Sequence, residues 1–193
     1  MISAVANEFA VFGGTFDPIH LGHLHLIKEI SDRFGKVLVI PAGSPWLKEN
    51  PPLANAEQRF QMADLAVTSM GLAAKAEVLP IEIRRAGSSY TIDTVESLMQ
   101  TYPEVNFTLV IGSDTAQHLD KWHRSADLLK LVKILVIKRP ATPPSDFEEI
   151  SIKALDISST KVRKSISNRE NVSNLLPPKV VTFIREYGLY GSR

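Results

Sequence analysis

The chain alternates between two hydrophobic periods, and that alternation constrains its fold more tightly than any single motif. "EFAVF" (Glu8 to Phe12) is a short apolar run ending at Gly13-Gly14, which reads as a buried strand entering a turn. After Pro18 the period changes. Leu24, Ile27, Ile30 and Phe34 fall on one helical face, while His25, Lys28, Glu29, Asp32 and Arg33 lie elsewhere around it. Gly35 is the expected stop of that helix. "KVLVIP" (Lys36 to Pro41) then reads as a second buried strand, completing a βαβ unit whose crossover is expected to be right-handed.

The same alternation continues. "NAEQRFQMADLAVTSM" reads as a helix with Asn55 as its cap, "AEVLP" as a short strand, and "SYTIDTVESLMQTY" as a helix with Tyr90 and Thr91 near its start. "NFTLVIG" (Asn106 to Gly112) is a strand, followed by a polar turn and short helical pieces up to Leu131. "KILVIKRP" is the next strand, "PATPPSDFEE" reads as a loop, and "IKALDIS" is the expected last strand. "STKVRKSISN" opens a helix with hydroxyl residues in capping position, and "PPKVVTFIREYG" is a final helix with proline at its start and Gly188 at its end. Near-continuously apolar strands separated by helices predict an α/β fold, a mostly parallel sheet with helices on both faces. No repeat or linker interrupts the chain, so one domain is expected over residues 1–193, with a small helical part from about 157. In such sheets ligands bind beyond the carboxyl ends of the strands, so the stretch after Phe12 is expected on that edge.

Composition narrows the chemistry. The 22 basic and 21 acidic residues leave a net charge of +1, so there is no bulk electrostatic case for a nucleic acid partner. Without cysteine there is no disulfide, thiolate nucleophile or cysteine-based metal centre. No apolar run approaches the roughly 18–20 residues that span a bilayer, and "MISAVANEFAVFGG" does not read as a signal peptide. A soluble, cytoplasmic protein with no membrane partner is expected. A homo-oligomer stays open.

Two stretches suit an anion. In "VFGGTFDPIHLGH", Gly13 and Gly14 allow positive φ and a close backbone approach, and the helix that follows presents free amides. A Gly-Gly pair after a strand is also an ordinary turn. It is neither a phosphate-binding loop with Gly-Lys-Ser/Thr nor the G-x-G-x-x-G fingerprint. His20 and His23 stand one turn apart and share a face, where the helix dipole favours negative charge. They are otherwise plain helix-start residues. A metal site with His25 is disfavoured, because His25 points away from His23 and no carboxylate completes the set. In "ISSTKVRKSI", the hydroxyls of Ser158, Ser159 and Thr160 precede Arg163 by one turn, which suits a polyphosphate; a simple cap with a surface arginine is the alternative.

Together, "GGTFDPIHLGH" and "ISSTKVR" resemble the paired signature of the nucleotidyltransferase superfamily with the HxGH motif. "SYTIDTVESL", "IGSDTAQHLDKWH", "KRP" and "LLPPKVVTFIREYGLY" are similar to segments of the bacterial nicotinate-nucleotide adenylyltransferases, in order from residue 11 to residue 190. The resemblance implies a Rossmann-like nucleotidyltransferase fold, adenylyl transfer from ATP to nicotinate mononucleotide, and release of deamido-NAD and pyrophosphate. By that resemblance His20, His23 and Arg163 are catalytic. Gly13, Gly14, Thr15, Phe16, Gly112, Asp114, Ser158, Ser159 and Thr160 bind ATP, and Lys48, Tyr90, Thr91 and Trp122 bind the mononucleotide. Mg²⁺ is implied, held by the nucleotide phosphates rather than by protein side chains.

One departure stands out. The family's Pro-Pro-His-Lys step is "SPWLKEN" here, with Pro45 and Lys48 kept and Trp46 and Leu47 substituted. The alternatives are nicotinamide mononucleotide as acceptor, a pantetheine-phosphate adenylyltransferase, and a non-catalytic nucleotide-binding module. A class I aminoacyl-tRNA synthetase is disfavoured by the short chain and the missing lysine-rich signature.

Overall fold

The computed structural model describes residues 5–46, 50–139, 142–153 and 155–193. Along the chain run β1 (Val5–Gly14), α1 (Leu21–Ser31), β2 (Phe34–Pro41), α2 (Ala56–Ser69), β3 (Ala76–Val78), α3 (Ile81–Arg84) and α4 (Thr91–Thr101). They are followed by β4 (Asn106–Gly112), α5 (Ser113–Ala116), α6 (Ser125–Leu131), β5 (Lys133–Ile137), β6 (Glu148–Ile150), α7 (Ser159–Ser167) and α8 (Pro178–Tyr187). The strands form one sheet in the order β3-β2-β1-β4-β5-β6, and every neighbouring pair is parallel.

Alternate residues of each strand enter opposite faces, which makes two cores. Ala10 and Phe12 of β1 join Ile27, Ile30, Met62, Val162 and Ile184 on one face. Val11 joins Leu98, Leu109 and Leu128 on the other. Among the described residues no helix is long and apolar enough to cross a membrane.

The strand order reverses between β1 and β4, and the ladder opens there. Their pairing runs from Glu8↔Asn106 to Val11↔Leu109. Past that point β1 continues on β2 to Gly14↔Pro41, while β4 continues on β5 to Gly112↔Ile137. The two strands therefore part at their carboxyl ends, leaving backbone facing a cleft.

Several expectations held. Asn55 caps α2 in a reciprocal box with Gln58, Ser158 caps α7, and Gly188 ends α8 in the left-handed region. Three need correction. The first helix stops at Ser31, capped by Asp32, so Phe34 and Gly35 already belong to β2 and Phe34 enters the core from a strand. The last strand is Glu148–Ile150 rather than "IKALDIS", and it takes in residues read as loop. Edge pairing to β5 needs only backbone, so Glu148 and Glu149 are tolerated there, while Ile152 and Ile157 pack on the core without a ladder. Finally, Gly13 and Gly14 are the extended end of β1. The positive φ belongs to Phe16, at 51°.

Candidate active site

The local chemistry of "GGTFDPIHLGH" begins with Phe16, whose ring folds back over β1. A Cβ on Gly14 would lie 2.8 Å from that ring, so close approach is why a glycine stands there. Phe16 is buried, with its ring against Phe12 and edge-on to His23, so it offers a ligand backbone only. The Asp17–Pro18 peptide is cis.

His20 and His23 close the start of α1 on each other. His20 Nδ1 accepts the backbone N–H of His23, and His23 Nδ1 accepts that of His20, each at 3.3 Å. The rings stack with centroids 3.7 Å apart and planes 18° from parallel. With both Nδ1 atoms accepting, the hydrogen-bond pattern assigns the proton of each ring to Nε2. Burial pulls the His20 pKa down to about 4, so its ring is neutral at neutral pH. Gly22 makes the stack possible: a Cβ there would lie 3.0 Å from His20 Nδ1 and 3.1 Å from its Cε1.

The second anion-suited stretch lands against the first. Ser159 Oγ donates to the Pro18 carbonyl at 3.0 Å, and Arg163 Nη1 donates to the Asp17 carbonyl at 2.7 Å. Arg163 Nη2 also reaches Thr160 Oγ1 at 3.4 Å, and Ser158 Oγ accepts the Lys161 N–H. His20, His23, Ser158, Ser159, Thr160 and Arg163 thus gather around one turn.

The opened ladder forms the floor of a cavity of about 300 Å³. Gly13, Gly14, Thr15 and Gly112 line it from the strand ends, and Tyr90, Thr91 and Trp122 from the far side. Tyr90 is held from two sides: His123 stacks on it at 4.2 Å, and Trp46 meets it edge-on at 5.5 Å. Glu82 and Thr94 also line the cavity, with the Thr94 hydroxyl donating to Glu82 Oε1 at 2.8 Å. Asp114, in the first turn of α5, accepts from Arg139 Nη1 at 2.7 Å. Lys48 and Leu47 lie outside the described residues.

Sequence reading missed Arg59, Glu82, His123 and Arg139. Arg59 is fully buried and donates to the carbonyls of Thr15, Gly43 and Ala54, so it ties the β1 and β2 turns to α2. Nothing local marks it: its face of α2 is otherwise apolar, and its acceptors are carbonyls. Trp46 was visible only as a departure from a pattern.

Comparison with known proteins follows the same outline. The model of the cytidylyltransferase-like family matches residues 11–165. A "Probable nicotinate-nucleotide adenylyltransferase" of Oceanobacillus iheyensis is 36% identical over 192 residues, covering 96% of this chain and 97% of that one. Its counterpart from Listeria monocytogenes serotype 4b is 34% identical, covering 97% of this chain and 99% of that protein. In fold, the chain resembles the Plasmodium falciparum nicotinic acid mononucleotide adenylyltransferase complexed with NaAD, with a TM-score of 0.82 at 19% identity. That likeness covers 97% of this chain and 98% of the other.

Proposed function

Because this chain belongs to the cytidylyltransferase-like family, and within it to the nicotinate-nucleotide adenylyltransferases, we infer that its cleft transfers AMP from ATP to nicotinate mononucleotide. The products are deamido-NAD and pyrophosphate. A phosphate oxygen of the mononucleotide forms a bond to the α-phosphorus as the bond from that phosphorus to the bridging oxygen breaks. Pyrophosphate leaves with the electron pair. The attacking oxygen is already ionised, so no general base is needed, and the protein's task is positioning and charge stabilisation.

The observation that carries this reading is the stacked pair of His20 and His23, whose Nδ1 atoms each accept the other's backbone N–H, so that both rings carry their proton on Nε2. They suit the oxygens of a phosphorus centre whose charge shifts during transfer. Thr15, the backbone of Phe16 and the glycines Gly13 and Gly14 would flank the triphosphate. Ser158, Ser159, Thr160 and Arg163 would hold its outer phosphates. Gly112 and Asp114 would take the adenosine side. Trp122 would face the pyridine ring, while Tyr90 and Thr91, at the start of α4, would meet its carboxylate. Lys48 would supply a further cation. In this reading residues 1–193 act as one unit, with the helices from about 157 completing the triphosphate side, in the cytoplasm where ATP is at hand.

The family acts on ATP with a divalent metal, and Mg²⁺ is the ion we propose. The residues present fit an ion held by phosphate oxygens and water. The imidazole lone pairs are turned inward onto backbone amides, Asp114 is paired with Arg139, and the carboxylate of Asp17 accepts from Leu53, Ala54 and Tyr190. When bound, such an ion neutralises charge on the leaving pyrophosphate.

The test is pyrophosphate release from ATP, Mg²⁺ and nicotinate mononucleotide, with nicotinamide mononucleotide in parallel. Faster release with the nicotinate form is expected. No release with either mononucleotide overturns the reading, and pyrophosphate release with pantetheine phosphate alone would replace it.

A further inference from the structure

The Tyr190 hydroxyl donates to Asp17 Oδ1 at 2.7 Å, across 173 positions of the chain. Both residues are buried. The same carboxylate accepts the backbone N–H groups of Leu53 at 3.0 Å and Ala54 at 3.1 Å, and its Oδ2 faces Arg163 Nη1 at 3.7 Å. A carboxylate removed from water needs such partners. What distinguishes Asp17 is where its own backbone leads. Its carbonyl holds the Arg163 guanidinium at 2.7 Å, the next carbonyl, of Pro18, receives Ser159, and His20 follows as the cap of α1.

The backbone around Tyr190 is unusual in the same direction. Gly188, Tyr190 and Gly191 all have positive φ, at 63°, 57° and 76°. For a bulky aromatic residue that region is disfavoured by contact between its Cβ and its own backbone. The chain reverses after α8 within this turn, and the reversal is what aims the ring inward. Burial, with Asp17 alongside, pushes the Tyr190 hydroxyl well above the usual phenol range, so it stays protonated and remains a donor. A phenylalanine would fill the same space and pack the same core, and would leave Asp17 one donor short.

We propose that Tyr190 is a positioning residue for the triphosphate side of the site, acting through Asp17 on Arg163 and on the turn that carries His20. The inference rests on the reading of Arg163 and His20 as triphosphate ligands. It makes the C-terminal turn part of the site's geometry, although no atom of that turn need touch the nucleotide.

The test is Tyr190→Phe in the full chain. Three quantities are compared with the unaltered protein: Kd for a non-hydrolysable ATP analogue with Mg²⁺, KM for ATP, and KM for nicotinate mononucleotide. Losing one donor to a buried carboxylate is expected to weaken the analogue and raise KM for ATP roughly 5- to 10-fold, while KM for the mononucleotide stays within about twofold. Ile184→Val in α8 controls for mere loosening of the same region, because Ile184 is buried and its apolar side chain offers Asp17 no hydrogen bond. It is expected to lower Tm without changing analogue affinity. Unchanged analogue affinity in Tyr190→Phe overturns the proposal. So does an equal rise in both KM values, or an Ile184→Val variant that reproduces the loss. Should Tyr190→Phe fail to fold, Asp17→Asn reads the same link from the other partner, with the same selective loss expected and an unchanged analogue Kd overturning the claim. If the unaltered protein releases no pyrophosphate, the proposed reaction falls, while the comparison of analogue affinities still decides the role of Tyr190.

Discussion

Arg139, just past the end of β5, donates from Nη1 to the Asp114 carboxylate at 2.7 Å, and both side chains are more than half exposed. An exposed pair of this kind contributes little to stability, with a median of about 0–1 kcal/mol. Its geometry matters more: it holds the Asp114 carboxylate beside the end of β4, with the Arg139 guanidinium about 3.8 Å from where a Cβ on Gly112 would sit. Asp114→Ala is therefore expected to raise KM for ATP by about tenfold or more, as loss of a charged hydrogen bond implies. Tm should move little. A melting curve and KM for ATP measured on the same sample check both halves.

His20→Asn separates the two tasks of His20. Asparagine is among the best N-caps, so α1 keeps its start and the fold stays near its original stability. The Nε2–H donor is lost, and kcat is expected to fall by about 10²–10³-fold, as when one preorganised donor is removed from a transition state. Pyrophosphate release beside thermal melting reads the two effects apart.

Gly22→Ala tests whether the stack itself matters. The added methyl would meet the His20 ring at 3.0–3.1 Å, closer than ordinary contact, so the ring has to shift by a few tenths of an ångström within the stack. Turnover is expected to drop while binding of the pyridine mononucleotide is kept. A kcat within twofold of the unaltered protein would mean that the stacked arrangement is dispensable.

Stability should depend on pH through His20. Its folded pKa is about 4, below the 6.5 of an unfolded chain. Between those values the unfolded state binds more protons, so stability falls as pH drops through 6.5 toward 4 and is flat with respect to this group above 6.5. Urea midpoints at pH 7.5 and pH 5 should differ less in His20→Asn than in the unaltered protein.

Trp122→Ala is expected to raise KM for nicotinate mononucleotide about tenfold and leave KM for ATP unchanged, since Trp122 lines the cavity together with Tyr90 and Thr91, whereas His20 and His23 are not among its lining residues. Tyr90, braced by His123 and Trp46, should keep its position in that variant. Steady-state kinetics with each substrate varied in turn checks the split.

The parallel sheet was legible because periodicity is a local property. β4 matches its apolar run residue for residue, and Asn55 announces α2 through its own cap. Boundaries were less legible. Gly35 looked like a helix stop, yet Phe34 is drawn into β2 by pairing with β1. The strand at Glu148–Ile150 exists because β5 offers an edge, a fact absent from its own residues. Of the site, the two anion-suited stretches were visible, since hydroxyls, histidines and glycines at close spacing carry the signal. Their meeting was implied by the family resemblance of the pair, while the contacts that join them were not visible.

The sequence by itself determined the α/β alternation, the Gly-Gly step at the end of β1, the three-residue spacing of the histidines, and the capping hydroxyls of α7. Each depends on neighbours within a few positions. Only the tertiary structure decided that Ser159 and Arg163 close onto Pro18 and Asp17, that Arg59 binds three separate carbonyls, and that Tyr190 reaches Asp17. All but the Arg59–Ala54 contact join residues at least 16 positions apart, and their partners are backbone carbonyls or a single buried carboxylate, which no spacing of residue types encodes. Packing alone brought them within hydrogen-bond distance.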